Sequence, residues 1–294
     1  MSSWWGIDIG GTKVLVGRLD GDGFLEAGSI PTETLNSPVE VVSEVSELIL
    51  DRDPAPLGTG VGIAGLVDRS RGVLVSSPNV PAWRDVPVRE MFSEALGSGV
   101  TVDNDANAFA FGAVSGGQIP PRGMWLLVTL GTGIGGTVVH DGRILHGTGF
   151  AGEFGHMTVM AEGEACACGS TGCWELYASK RSLSRYYARA GGPADVDPRE
   201  VAGRARRGDG AARRAFEEFG TWLGVGMASL GCCLSPHGFV LAGGLAGAFD
   251  LFSRRMEAVF TERCHLDLHV RTLPEVRESG ALGAARMARE AFGG

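Results

Sequence analysis

WWGIDIGGTKVLVGRL, residues 4–19, sets two apolar runs around a glycine turn. Residues 4–9 and 14–19 read as strands, and Gly10, Gly11, Thr12 and Lys13 form the turn between them. Glycines let the backbone come close to a ligand, so amide N–H groups can point at anionic oxygens, and Lys13 adds a point charge. The spacing is not that of a P-loop, and VLVGRL alternates like a strand where a P-loop needs a helix. A second turn of this kind occurs in TLGTGIGG, residues 129–136, behind another apolar run. Gly131, Gly133 and Gly136 satisfy a dinucleotide fingerprint in spacing, but TVVHDGRIL follows, a β-branched hairpin turning at Asp141-Gly142.

Two strand–turn–strand phosphate grips in one chain point to an α/β fold of the actin-like, two-lobed kind shared by actin and the sugar kinases, with a cleft between lobes. The breaker-rich stretch SGGQIPPRG, 115–123, is the candidate boundary. The expected division is a smaller lobe of residues 1–117 plus a C-terminal helix at 279–294, and a larger lobe of 118–278. Helices are expected at 39–51, 87–97, from 104 or 105 onward, 175–190, 197–207, 210–234, 247–262 and 279–292. Further strands are expected at 60–68, 72–79, 99–103 and 238–244.

Composition narrows the function. The chain has 294 residues, 47 of them glycine, about twice the usual share. A net charge of −8 and a pI near 5.3, with no long basic run, disfavour a nucleic-acid-binding face. The start MSSWWGIDIGG lacks signal-peptide character and no stretch reaches eighteen apolar residues, so a cytoplasmic protein without a membrane partner is expected.

In that reduced compartment EFGHMTVMAEGEACACGSTGCWE, 153–175, is unusual. His156, Cys166, Cys168 and Cys173 make a three-thiolate, one-imidazole set suited to tetrahedral Zn²⁺, and with all four positions filled the zinc is structural. A zinc clamp fixes Glu153 on one side and Glu175 on the other, where carboxylates can accept hydrogen bonds from a polyol such as a sugar. One ring nitrogen of His156 can hold metal while the other faces a hydroxyl. The remaining thiols, Cys232, Cys233 and Cys264, lack such spacing; Cys232 and Cys233 read as packing residues of an apolar helix.

E-x-G-H, nine residues, then C-x-C-G-x-x-G-C-x-E, together with DIGGTK (8–13), DNDANA (103–108), LGTGIGG (130–136) and LAGG (241–244), resembles the ROK family of repressors, open reading frames and kinases. SPNVPAW, 77–83, is similar to a stretch common in its bacterial glucokinases. The resemblance implies an ATP-dependent kinase for the 6-hydroxyl of glucose or a close analogue. It implies Asp105 as catalytic base, with Gly65, Asn79, Asn104, Asp105, Glu153, His156 and Glu175 at the sugar. Asp8, Gly10, Gly11, Thr12, Lys13, Thr132 and Gly133 fall in the phosphate segments, Gly243 and Gly244 in the adenosine segment, and Mg²⁺ accompanies ATP. A homodimer or homotetramer is implied as well.

Asp103 stands where a glutamate is more usual, and Thr137 and Ala242 where a further glycine is common. The alternative role for Asp105 is a helix N-cap. Alternative substrates are N-acetylmannosamine, glucosamine, kanosamine or fructose. A sugar-responsive regulator is the other class, disfavoured because the first phosphate turn begins at residue 8 and leaves no room for a DNA-binding module.

Overall fold

The computed structural model describes residues 3–11, 13–31, 37–77, 80, 82–273 and 279–293. The chain divides into two compact units, Met1–Pro121 with Gly142–Ala151 and Val276–Gly294, and Arg122–Asp141 with Gly152–Glu275. The segment 142–151, inside the span expected for the larger lobe, clusters with the first unit.

In the first unit β1 (Trp4–Ile9) pairs antiparallel with β2 (Lys13–Asp20), which turns into β3 (Gly23–Pro31). On its other side β1 runs parallel to β4 (Gly58–Ile63), and β4 parallel to β8 (Val100–Asn104). Three short strands, β5 (Leu66–Asp68), β6 (Val73–Ser76) and β7 (Arg84–Val86), form a separate antiparallel sheet.

Helices α1 (Pro38–Leu50), α2 (Val88–Leu96) and α3 (Asp105–Ser115) belong to the same unit. Helix α1 starts because Ser37 accepts a hydrogen bond from the Glu40 N–H, and it buries Val41, Val42, Val45 and Ile49 at helical spacing.

The second unit repeats the plan. Strand β9 (Met124–Leu130) pairs antiparallel with β10 (Ile134–His140); a short β11 (Arg143–Leu145) follows in sequence. Across β9, β12 (Gly238–Ala242) and β13 (Val270–Leu273) run parallel to it, so β10-β9-β12-β13 matches β2-β1-β4-β8. Helices α4 (Lys180–Arg189), α5 (Pro198–Arg206), α6 (Gly210–Leu234) and α7 (Phe249–Arg263) supply its core, where Phe219 meets Phe252 edge to face at 5.1 Å.

The last helix, α8 (Ser279–Phe292), returns to the first unit and lies against β1 and β4. Gly6 and Gly60 make this approach possible. A Cβ on Gly6 would sit 1.9 Å from the Ala281 carbonyl oxygen, and one on Gly60 1.8 Å from that of Ala284.

Several sequence expectations are corrected. The strand expected over 60–68 is broken at Gly65, whose φ of 135° no side chain tolerates, giving β4 and β5. The helix expected from 175 begins at Lys180, because Ser179 and Ser182 form a capping box, and Trp174–Leu176 is a single 3₁₀ turn. Cys232 and Cys233 are exposed at the end of α6, not packed. Strands β3, β7 and β13 were not foreseen; β3 and β13 are edge strands with mixed exposure and little alternation. The strand expected over 72–79 is β6 up to Ser76, and its residues 78 and 79 lie outside the described residues.

Gly60→Ala should lower the unfolding free energy by about 1–3 kcal/mol or more, since backbone rather than a flexible side chain must give way. Chemical denaturation measures it; an unchanged midpoint would contradict the close packing of α8 on β4.

Candidate functional site

The parallel register of the first sheet lines up three strand ends. Ile9 pairs with Ile63, and Ile63 with Asn104, so the residues that follow each strand emerge side by side. Those residues are the Gly10–Lys13 turn after β1, Ala64 and Gly65 after β4, and Asp105 after β8. The carboxyl ends of parallel strands are where open α/β sheets bind ligands. The Gly10 N–H donates to the Lys13 carbonyl at 3.0 Å, closing the first turn, and Gly11 is exposed. Thr12 and Asn79, both expected at the site, lie outside the described residues.

Asn104 joins two of these strand ends. Its Oδ1 accepts from the Ala106 N–H at 2.8 Å and the Asn107 N–H at 3.4 Å, which caps α3, while its Nδ2 donates to the Gly65 carbonyl at 3.0 Å. The cap is therefore Asn104 and not Asp105, which occupies the first helical position. Asp105 Oδ1 accepts from the Ala106 N–H at 2.9 Å. Burial pushes its carboxyl above the ordinary aspartate value, and the Ala106 N–H opposes that only in part. A carboxylate raised in this way is suited to taking a proton from a hydroxyl.

Asp8 lies near the end of β1, with its carboxylate beside the first turn of α8. A Cβ on Gly280 would fall 2.6 Å from Asp8 Oδ2. The sequence reading missed Gly280, because nothing local to SGALGAAR shows that an acid from β1 will arrive there.

In the second unit the corresponding strand ends carry the other glycine turns. The turn after β9 is closed by the Gly131 N–H donating to the Gly133 carbonyl at 3.0 Å and anchored by the Lys180 N–H on the Gly131 carbonyl at 2.9 Å, and Thr132 is exposed. Alongside it, Gly243 with φ 86° follows β12, and a Cβ there would stand 2.7 Å from the Leu130 carbonyl oxygen; Gly244 opens the following 3₁₀ helix. The Glu175 carboxylate reaches this turn, accepting from the Ile134 N–H at 3.0 Å, and leaves no room for a side chain at 133. Two of the three glycines that imitate a dinucleotide fingerprint thus answer to packing, Gly133 to Glu175 and Gly136 to Phe154 and Gly152.

The cysteine segment is assembled as a knuckle. The Cys166 N–H donates to the Ser170 carbonyl at 2.8 Å, the Gly169 N–H to the Cys166 carbonyl at 3.0 Å, and the Trp174 N–H to the Met157 carbonyl at 2.8 Å. One donor atom from each of His156, Cys166, Cys168 and Cys173 lies within 4.8 Å of the others. Cys168 Sγ is 3.6 Å from Cys173 Sγ, and Cys166 Sγ is 3.8 Å from His156 Nδ1. Tetrahedral zinc with bonds of about 2.3 Å sets its ligands about 3.8 Å apart, so the donor set fits the ion. Burial, with the neighbouring sulfurs, pushes the Cys173 thiol up to about 12 in the bare cluster. With Nδ1 turned to the sulfurs, His156 Nε2 lies 4.0 Å from Glu153 Oε2.

Two sheets of matching order, each with a glycine turn between its antiparallel strands, define the actin-like ATPase fold of the sugar kinases. The chain belongs to the ROK family, whose model matches residues 4–291. It is 32% identical to the glucokinase of Streptomyces coelicolor, covering 97% of each chain, and 32% identical to that of Thermotoga maritima, covering 98% of each. Among solved structures, a ROK family glucokinase from Streptomyces griseus in complex with glucose and AMPPNP is 30% identical with a TM-score of 0.83, over 98% of this chain and 100% of that one. No helix among the described residues is long and apolar enough to cross a membrane.

Because the cap is Asn104, Asn104→Ala should cost about 1 kcal/mol of stability. Asp105→Asn should cost none and instead stabilise near neutral pH. With its folded-state value raised, Asp105 ionises more readily in the unfolded chain, so stability falls as pH rises through the ordinary aspartate range and removing the charge restores it. Paired denaturation curves at acid and neutral pH check both signs.

Proposed function

We infer that this chain is an ATP-dependent hexose kinase that phosphorylates the 6-hydroxyl of glucose. The observation that carries the reading is the row at the strand ends, where Asn104 ties Gly65 to the start of α3 and Asp105 stands beside it with a raised carboxyl. Near-full-length similarity to curated glucokinases supports the choice of sugar.

Phosphoryl transfer asks the protein chiefly for position and charge neutralisation. In this reading Asp105 accepts the proton of the sugar O6 hydroxyl as that oxygen attacks the γ-phosphorus of ATP, and the bond from γ-phosphorus to the bridging oxygen breaks, leaving ADP. Asn104 and the Gly65 segment, with Asn79, hold sugar hydroxyls. Glu153, Glu175 and the Nε2 face of His156 take others; one Glu175 oxygen is already engaged by the Ile134 N–H, which fixes the direction of the second. The turns at 10–13 and 131–133 present N–H groups, with Lys13 as a cation, to the phosphates, and Gly243 and Gly244 receive the nucleoside. Mg²⁺ bound with ATP would neutralise phosphate charge, with Asp8 as the carboxylate that orients its water shell. Zn²⁺ on His156, Cys166, Cys168 and Cys173 would hold the knuckle without entering the reaction. The same reading takes the protein as a cytoplasmic homodimer or homotetramer acting on small molecules, with no nucleic-acid or membrane partner; the acidic balance supports the absence of a nucleic-acid partner.

A coupled assay for ADP release across glucose, fructose, mannose, glucosamine, kanosamine and N-acetylmannosamine tests the reaction. Glucose should give the highest kcat/KM; a higher value for another sugar reassigns the substrate, and no turnover with any removes the kinase. Asp105→Asn should bind glucose and lose about 10²–10⁴-fold in kcat. In the parent enzyme the acid limb of kcat/KM should lie above the ordinary aspartate range, activity rising with pH through it.

Metal analysis should find one zinc per chain. Cys168→Ser should lose it, raise the glucose KM at least tenfold and lower the melting temperature. Metal-free protein with an ordinary glucose KM would remove the knuckle from sugar binding.

A further inference from the structure

Asp103 is buried immediately before the Asn104-Asp105 junction, and both its oxygens are used. Oδ1 accepts from the Asn104 N–H and from Asn107 Nδ2, each at 2.8 Å, so one oxygen holds the peptide leading into Asn104 and the first turn of α3. Oδ2 lies 2.8 Å from His146 Nε2 and 3.2 Å from Arg69 Nε. A carboxylate oxygen only accepts, so Nε2 carries the hydrogen.

His146 works at both ends. Its carbonyl accepts from the Gly149 N–H at 2.7 Å and the Ala151 N–H at 3.2 Å, closing the turn that runs into Glu153 two residues later. Arg69 leaves β5, just beyond Gly65, and is half exposed, while Asp103 beside it is shut away from water. One carboxylate therefore gathers three segments, each adjoining a residue that the proposed function assigns to the sugar or its activation: the stretch after Gly65, the Asn104-Asp105 junction and the turn before Glu153.

We propose that the Asp103–His146 pair, with Arg69, is a positioning element that holds the Asp105 junction in register with the 146–151 turn. This rests on the kinase reading above. None of the three touches the reacting atoms; they act through Asn104 and Asp105. The sequence could not show the pairing because the partners are forty-three residues apart.

The test uses the full-length protein with His146→Ala and His146→Gln, the glutamine keeping an N–H donor of similar reach. At a temperature where each variant is fully folded, His146→Ala should lower kcat about 10–100-fold, as a misplacement of the order of 1 Å does. KM for Mg-ATP should stay within twofold, and His146→Gln should recover most of kcat. A residue serving stability alone would lower the melting temperature and leave kcat of the folded protein unchanged; that result overturns the proposal. Amide exchange gives a readout independent of turnover. Exchange should quicken in peptides spanning 103–107 and 146–151 in His146→Ala and return in His146→Gln; unchanged exchange also overturns it. If the parent turns over no hexose the kinase reading fails by itself, and exchange still decides whether the pair fixes the junction.

Discussion

Everything proposed for this chain depends on level strand ends. Because β1, β4 and β8 are parallel and in register, a phosphate-type turn, a glycine with positive φ and a helix cap with its acid emerge at one height. A one-residue slip in β8 would turn Asp105 from the site and break the bond from Asn104 to Gly65. The register is protected from beneath by contacts too tight to slide, with α8 carbonyls resting where Gly6 and Gly60 have no side chain. A composition rich in glycine, which by itself suggests looseness, here produces rigidity.

The second unit uses the same device for a different purpose. Glu175 is seated by the Ile134 N–H against Gly133, so a proposed sugar ligand and a proposed phosphate turn share one contact. A change in how the knuckle holds Glu175 is therefore felt at the turn. The cysteine cluster need not approach the reacting atoms to matter.

What could be read from sequence was local. The strand–turn–strand pattern at 4–19 and 124–140, the apolar face of α1, and the metal-type cluster at 156–173 all depend on neighbours within a few turns of chain, and periodicity and spacing carry them. The edge strands β3 and β13 escaped notice because half-exposed edges show little alternation. The late start of α4 was hidden by WELYASK, which is apolar enough to suggest helix until Ser179 is seen as the cap. Within the candidate site, Asp105 and Asn104 were visible as a pair, but which of them caps α3 needed coordinates. Gly280 beside Asp8 and His146 beside Asp103 were invisible, since each is a meeting of distant segments and neither residue type suggests its partner.

The placement of α8 has a consequence for biosynthesis. Strand β1 leaves the ribosome before the second unit and the helix that covers it after that unit. The inserted unit can reach its native state while the surrounding one still exposes an apolar sheet, so the enclosing unit completes its folding after the enclosed one. That interval is when the nascent protein is most open to wrong partners.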